Sequence, residues 1–206
     1  MTAFKIMADG ISSVTDARYF ASKGVDYLCF HDSSDQGLDL YREAMQWVAG
    51  VKAAIRLTMP TAREIKDAVE RFGPDAVCVG AGTELQALAN DYGVLIFKEV
   101  DLGGDAGQPV SPEWEAPFVD AFLITKNEAG SRDLSANTFV RSLCQSYDVY
   151  IHWGVLGDDP DRAMETVRQL GPAGLILPAM GEEPIVGVKS FETLDRIFDR
   201  IIASDA

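Results

Sequence analysis

The chain has 206 residues, 47% of them hydrophobic, and carries 32 Asp and Glu against 18 Lys and Arg, a formal net charge of −14. Such an excess of carboxylates disfavours binding to nucleic acid or to an anionic membrane surface, both of which are held by clustered Lys and Arg. No run of about 18 apolar residues occurs, so no membrane-spanning helix is expected, and the opening residues lack the basic and apolar segments of a secretory signal.

The three cysteines, Cys29, Cys78 and Cys144, stand apart, with no Cys-x-x-Cys pair. An odd, scattered set argues against a disulfide scaffold. Cys29 and Cys78 sit in apolar segments, where a cysteine packs as a small hydrophobe. A reduced, cytoplasmic protein is expected. The carboxylates are spread over helix faces and turns, which is the pattern of a solvated surface.

In chain order, short apolar strands alternate with amphipathic helices. Phe4–Met7 is the first strand, and the turn dipeptide Asp9-Gly10 follows it. Ser12 or Ser13 can cap the next helix, which stops before Gly24. Tyr27–Phe30 and Ala53–Leu57 are the second and third strands. Thr61-Ala62-Arg63-Glu64 reads as a capping box, with Ile65, Ala68, Val69 and Phe72 on one face and Gly73-Pro74 as a stop. Ala76–Val79 and Val94–Lys98 supply strands four and five. The Gly- and Pro-rich stretch Asp101–Pro117 predicts a shortened fifth helix or a loop in its place. Ala121–Thr125 and Val149–His152 are strands six and seven. Asp159-Pro160 gives a cap and a first-turn proline to a helix through Met164, Val167 and Leu170. Gly174–Leu177 is the eighth strand, and Phe191, Leu194, Ile197, Phe198 and Ile201 form the inward stripe of a last helix.

The strands are continuous apolar runs, as in parallel strands covered on both faces. Eight strand–helix units without an internal linker fit an α/β, single-domain (β/α)8 barrel over residues 1–206, compact and little decorated. A doubly wound sheet is the alternative. A barrel places its chemistry where the strands end. The candidates there are Asp9, His31, Asp32, Arg56, Thr58, Lys98, Glu99, Lys126, His152, Trp153 and Met180. Gly80, Gly82, Gly154 and Gly181 could bring backbone N–H groups to a ligand.

Several segments resemble phosphoribosylanthranilate isomerase, an enzyme of tryptophan biosynthesis. Lys5-Ile6, Gly10-Ile11-Ser12, Asp16-Ala17-Arg18 and Gly24-Val25-Asp26-Tyr27-Leu28 resemble that family's opening, Lys-Ile-Cys-Gly-Ile-Thr and the helix after it. Leu123-Ile124-Thr125-Lys126 resembles its sixth strand. Gly154-Val155-Leu156 with Pro160 resembles its Gly-Gly-Leu-x-Pro loop, and Gly187-Val188-Lys189 with Phe191, Leu194 and Phe198 resembles its closing stretch. The resemblance implies a (β/α)8 barrel and, by descent, Amadori isomerisation of a phosphoribosyl amine. That reaction opens a sugar ring and moves a proton from C2, which needs a general acid and a general base.

The residues depart from the family at those groups. The reactive Cys of Lys-Ile-Cys-Gly is replaced by Met7-Ala8-Asp9, and the family's acid after the sixth strand corresponds to Ile124. The arginine expected in the second βα loop gives way to His31-Asp32-Ser33-Ser34-Asp35. Either Asp9 replaces the Cys as base, with His152 or Asp32 as acid, or the isomerase activity is lost. In the second case the chain is a ligand- or partner-binding barrel, or an enzyme of altered chemistry on a sugar phosphate.

Each candidate also has a structural reading. Asp9 could only turn the chain, and His152 could pack beside Trp153 at the rim. Lys98 and Lys126 could hold an anion or form a Schiff base, or could pair with Glu99 and Glu128. Trp153 and Met180 could plug the mouth, and Gly103–Gly107 is either a lid or a plain loop. His31 with Asp32 and Asp35 offers metal-ligand types, but the spacing matches no tight pattern, so no metal is expected. The ligand site is assigned to Gly154, Gly181, Lys126 and Asp32. The expected partner is a small molecule of the sugar-phosphate class, with no cofactor, nucleic acid or membrane, and the chain is expected to be a monomer or homodimer.

Overall fold

A computed structural model describes residues 4–31, 34–100, 102, 112–125, 134–179, 182–185 and 188–205. Eight parallel strands close into a barrel in sequence order, with the first paired to the eighth. They are β1 (Lys5–Asp9), β2 (Tyr27–Phe30), β3 (Lys52–Leu57), β4 (Ala76–Val79), β5 (Leu95–Glu99), β6 (Ala121–Ile124), β7 (Val149–His152) and β8 (Gly174–Pro178). The expected (β/α)8 barrel is therefore the fold, and the doubly wound sheet is not. The first strand runs on through Asp9, because Asp9 pairs with Cys29 on one side and Pro178 on the other.

The sequence signals for the helices are realised with their side chains in place. The α1 helix (Val14–Ser22) is capped by Ser13, whose hydroxyl accepts from the Asp16 N–H at 3.1 Å. The Thr61–Glu64 capping box starts α3 (Ala62–Phe72), and Gly73, at φ +59°, ends it. Between these lies α2 (Asp35–Trp47), capped by Ser34. The α4 helix (Leu85–Leu88) is a single turn, and α5 (Pro112–Glu115) is another, followed by a 3-10 turn over Ala116–Phe118. The shortened fifth helix was expected from the sequence; the equally short fourth was not. The remaining helices are α6 (Thr138–Ser146), α7 (Trp153–Leu156), α8 (Pro160–Leu170) and α9 (Glu192–Asp205). A two-stranded antiparallel hairpin, β9 (Glu182–Ile185) with β10 (Val188–Ser190), precedes α9. Its strands are too short to stand out in the sequence.

Three aspartates lock the lower rim. Asp26, Asp75 and Asp120 each stand just before an even-numbered strand. Each accepts the N–H of the preceding strand at 2.8 Å: Ile6, Ala53 and Ile96 respectively. Part of the acidic excess therefore satisfies buried strand donors.

Alternation along each strand divides the apolar residues. Ala8, Leu28, Ile55, Phe122, Ile124, Ile151 and Leu175 face the helices. The residues between them fill the barrel in layers of four from alternate strands. From the bottom these are Tyr27, Ala76, Ala121 and Gly174; then Met7, Ala54, Phe97 and Tyr150; then Cys29, Cys78, Leu123 and Ile176. Phe97 stacks on Tyr150 with centroids 5.5 Å apart. A Cβ on Gly174 would meet that tyrosine ring at 2.6 Å and the Lys5 carbonyl at 2.5 Å, so the missing side chain makes room for Tyr150.

Candidate functional site

The fourth layer, at the C-terminal mouth, breaks the apolar stack. It consists of Asp9 from β1, Arg56 from β3, Glu99 from β5 and His152 from β7. The strand register rises one residue per strand around the barrel and returns to Asp9, so these four stand at one height. They line a cavity of about 310 Å³ together with His31, Thr58, Gly80 and Thr125. A neighbouring cavity of about 370 Å³ opens between β3 and α3 and shares His31, Arg56, Leu57 and Thr58 with the first.

Charges in this layer are paired. Arg56 Nη2 donates to Asp9 Oδ1 at 3.0 Å, and Nη1 donates to Glu99. His31 Nε2 lies 2.8 Å from the same Asp9 oxygen. Arg56 Nε is 3.2 Å from both Asp9 Oδ1 and His31 Nε2. It donates to the carboxylate, since the His31 nitrogen spends its own proton on Asp9. Burial alone would push the Asp9 carboxyl up, but the His31 hydrogen bond and the Arg56 charge outweigh it. Together they hold Asp9 well below the usual carboxylate range. The hydrogen bonds to Asp9 and to Cys29 raise the His31 imidazole to about 9, against the pull of burial.

His152 is the opposite case. Burial lowers its pKa, with Arg56 adding to the effect and Asp9 opposing it, so the ring is neutral near pH 7. Its Nδ1 accepts the Gly154 N–H at 3.1 Å. The proton therefore sits on Nε2, the nitrogen left for a ligand.

Under the mouth, Cys29 Sγ is 3.9 Å from Cys78 Sγ. Its hydrogen bond with Cys78, and burial, raise the Cys29 thiol well above its ordinary pKa. One donor atom each from Asp9, Cys29 and His31 lie within 4.8 Å of one another, the grouping among the described residues that could hold a metal ion.

Asp9 and His152 are thus brought together at the mouth, 143 positions apart in the chain (152 − 9). Asp32, Lys126, Met180, Gly181, Glu128 and Gly103–Gly107 lie outside the described residues. Gly154 does not offer a free N–H to a phosphate, because His152 takes it. Gly80 donates its N–H to the Leu57 and Thr58 carbonyls, and a Cβ there would lie 1.9 Å from Thr58 O.

Lys98 points away from the mouth, as alternation with Phe97 and Glu99 requires. It is buried among the helices, donating to Thr83 O at 2.8 Å and to Glu115. Trp153 does not plug the mouth either; it follows His152 and packs in the outer layer. Ile124 is likewise outward, and Thr125 lines the cavity. Asp35 pairs with Arg71 at 2.6 Å. Arg56 was expected at the mouth from the sequence, but not as the residue that joins both carboxylates, and Cys29 was expected only as a plain hydrophobe.

The chain is a (β/α)8 barrel whose polar side chains gather at the strand C-terminal ends, the place where this architecture carries its chemistry. Its fold is that of phosphoribosylanthranilate isomerase. The isomerase from Thermus thermophilus is 22% identical, with a TM-score of 0.71 over 98% of this chain and all of its own. The isomerase from Pyrococcus furiosus is 16% identical, with a TM-score of 0.67 over 97% of this chain and 99% of its own. A structure of the Thermotoga maritima isomerase is 14% identical, with a TM-score of 0.72 over the same shares. No protein-family model and no curated protein sequence matches the chain.

Proposed function

We propose that the mouth is an active site for acid–base chemistry on a small sugar-phosphate substrate. The reaction is an isomerisation of the aldose–ketose kind, and Amadori rearrangement of phosphoribosylanthranilate is the instance to test first. The observation that carries this reading is His152, a neutral imidazole whose tautomer is set by the backbone and whose Nε2–H is left for a ligand. A neutral imidazole donating to a substrate oxygen is an effective electrophile in isomerase chemistry. Proton removal from C2 falls to a carboxylate. Asp9 is held by two cationic side chains, so it anchors the network. Glu99, paired with Arg56 in the same layer, accepts the proton. A barrel of the same fold, 14% identical, is described in complex with reduced 1-(o-carboxyphenylamino)-1-deoxyribulose 5-phosphate, which supports the substrate class. Lys126 and Gly181 are assigned to the phosphate on the family resemblance.

The test is the decay of phosphoribosylanthranilate fluorescence with purified protein. Turnover is expected, with kcat/KM reduced about 100-fold or more in His152→Gln and in Glu99→Gln. A second reading, a binding barrel without activity, is favoured by the way Asp9, Arg56, Glu99 and His31 satisfy one another. A ligand-induced rise in melting temperature without turnover at high enzyme concentration selects that reading. Neither turnover nor a thermal shift rejects both.

A further inference from the structure

We propose that Asp9, Cys29 and His31 form a binding site for a zinc-class divalent metal ion at the floor of the barrel mouth. Cys29 and His31 are two positions apart along one line and face the same side. Asp9 is the register partner of Cys29 on the adjoining strand. The three donor atoms lie within 4.8 Å of one another, with His31 Nε2 and Asp9 Oδ1 2.8 Å apart. Zinc bonds of about 2.0–2.3 Å in a tetrahedron put the donors about 3.3–3.6 Å apart. Side-chain adjustments of about an ångström reach that geometry, and the β1–β2 register need not change.

The donor set also selects the metal. A thiolate, a carboxylate and a neutral imidazole balance a divalent charge, with the Cys29 thiol proton and the His31 Nε2 proton both leaving to solvent as the metal enters. Sulfur and nitrogen ligands favour zinc or cobalt over magnesium or calcium, which require oxygen. Three protein ligands leave a fourth position open, as in catalytic zinc sites. The cavity of about 310 Å³ is lined by two of the three, Asp9 and His31.

Outer groups are in place as well. Arg56 Nη2 supports Asp9 at 3.0 Å, and the Cys78 thiol, 3.9 Å from Cys29, can donate to its thiolate. Arg56 is the resident competitor, since its Nε lies 3.2 Å from His31 Nε2. Its second carboxylate, Glu99, gives the guanidinium a place to stay when the metal enters.

The experiment is a Co²⁺ titration of the full chain, stripped with EDTA and free of substrate, followed by absorption. One Co²⁺ per chain is expected, with tetrahedral d–d bands and a thiolate-to-cobalt charge-transfer band that Zn²⁺ abolishes. Cys29→Ser should lose the charge-transfer band, while Cys144→Ser keeps it. His31→Gln changes a half-exposed side chain and should weaken Co²⁺ binding at least tenfold in a folded protein. Absence of the band in the unsubstituted chain at tenfold excess Co²⁺ overturns the proposal. So does a band that survives Cys29→Ser, or unchanged affinity in His31→Gln. Because no substrate is used, the outcome is independent of whether the isomerase reading holds.

Discussion

Replacing Arg56 by Met removes the cation that bridges Asp9 and Glu99. The Arg56, Asp9 and Glu99 side chains are only 13%, 11% and 23% exposed, so water cannot fully take over the lost interaction. Breaking a buried pair by removing one partner typically costs 3–5 kcal/mol, because the remaining charge is left uncompensated. His31 still holds Asp9, which places the expected loss at the lower end, about 3 kcal/mol at pH 7. The sign with pH follows from Asp9. Its folded pKa is depressed, so its contribution is present above the unfolded value of about 3.9 and is lost as pH falls below it. Without Arg56 one of the influences that lower the folded pKa is gone, and it rises toward the unfolded value. Asp9 in the variant then contributes less of this pH-dependent stability. The stability difference from the parent should therefore shrink between pH 7 and about pH 3. Urea unfolding of the metal-free proteins at both pH values measures it. A loss below about 0.5 kcal/mol at pH 7, or one that does not change with pH, would refute the reasoning that this layer is a coupled, desolvated ion network.

His31, with its pKa raised to about 9, contributes stability that is complete below its unfolded value of about 6.5 and is lost as pH rises through 9. The side chain is 47% exposed, so the effect is about 1 kcal/mol or less after solvent screening. Proton NMR of the metal-free chain should show one imidazole titrating near 9 and one below 6.5, and His31→Gln should remove the first. Asp75→Ala leaves the buried Ala53 N–H without its acceptor and should cost about 1–3 kcal/mol in chemical denaturation. Gly174→Ala forces a methyl group against the Lys5 carbonyl and the Tyr150 ring. It should cost at least about 2 kcal/mol, read as a lowered melting temperature with the near-ultraviolet tyrosine signal altered. An unchanged melting temperature would show that the lower layers are not packed as described.

The fold was legible because each strand is a short apolar run bounded by punctuation. Tyr27–Phe30, Ala76–Val79 and Val149–His152 form strands over the same residues the sequence marks. The one-turn α4 escaped notice for a local reason. Asn90, Asp91 and Gly93 close a tight turn right behind it, leaving no length for a helical period to show. At the site, residue types were legible but partnerships were not. Alternation settles which of two neighbours enters the mouth: Glu99 rather than Lys98, His152 rather than Trp153, Thr125 rather than Ile124. That argument needs only the inward parity of each strand, and Phe97, Tyr150 and Leu123 reveal it once the barrel is closed.

The partnerships depend on closure itself. Asp9, Arg56, Glu99 and His152 are drawn from every second strand, 43 to 53 residues apart along the chain (56 − 9, 99 − 56, 152 − 99), and no local motif can join them. The step of one residue per strand in the register is what brings them to a common height. A one-residue slip in a single strand would turn its polar residue outward and bring a helix-facing neighbour into its place. A charged top layer is therefore a property of the whole register. The three lower-rim aspartates, each accepting a neighbouring strand's N–H at 2.8 Å, help to hold that register at the opposite end of the barrel.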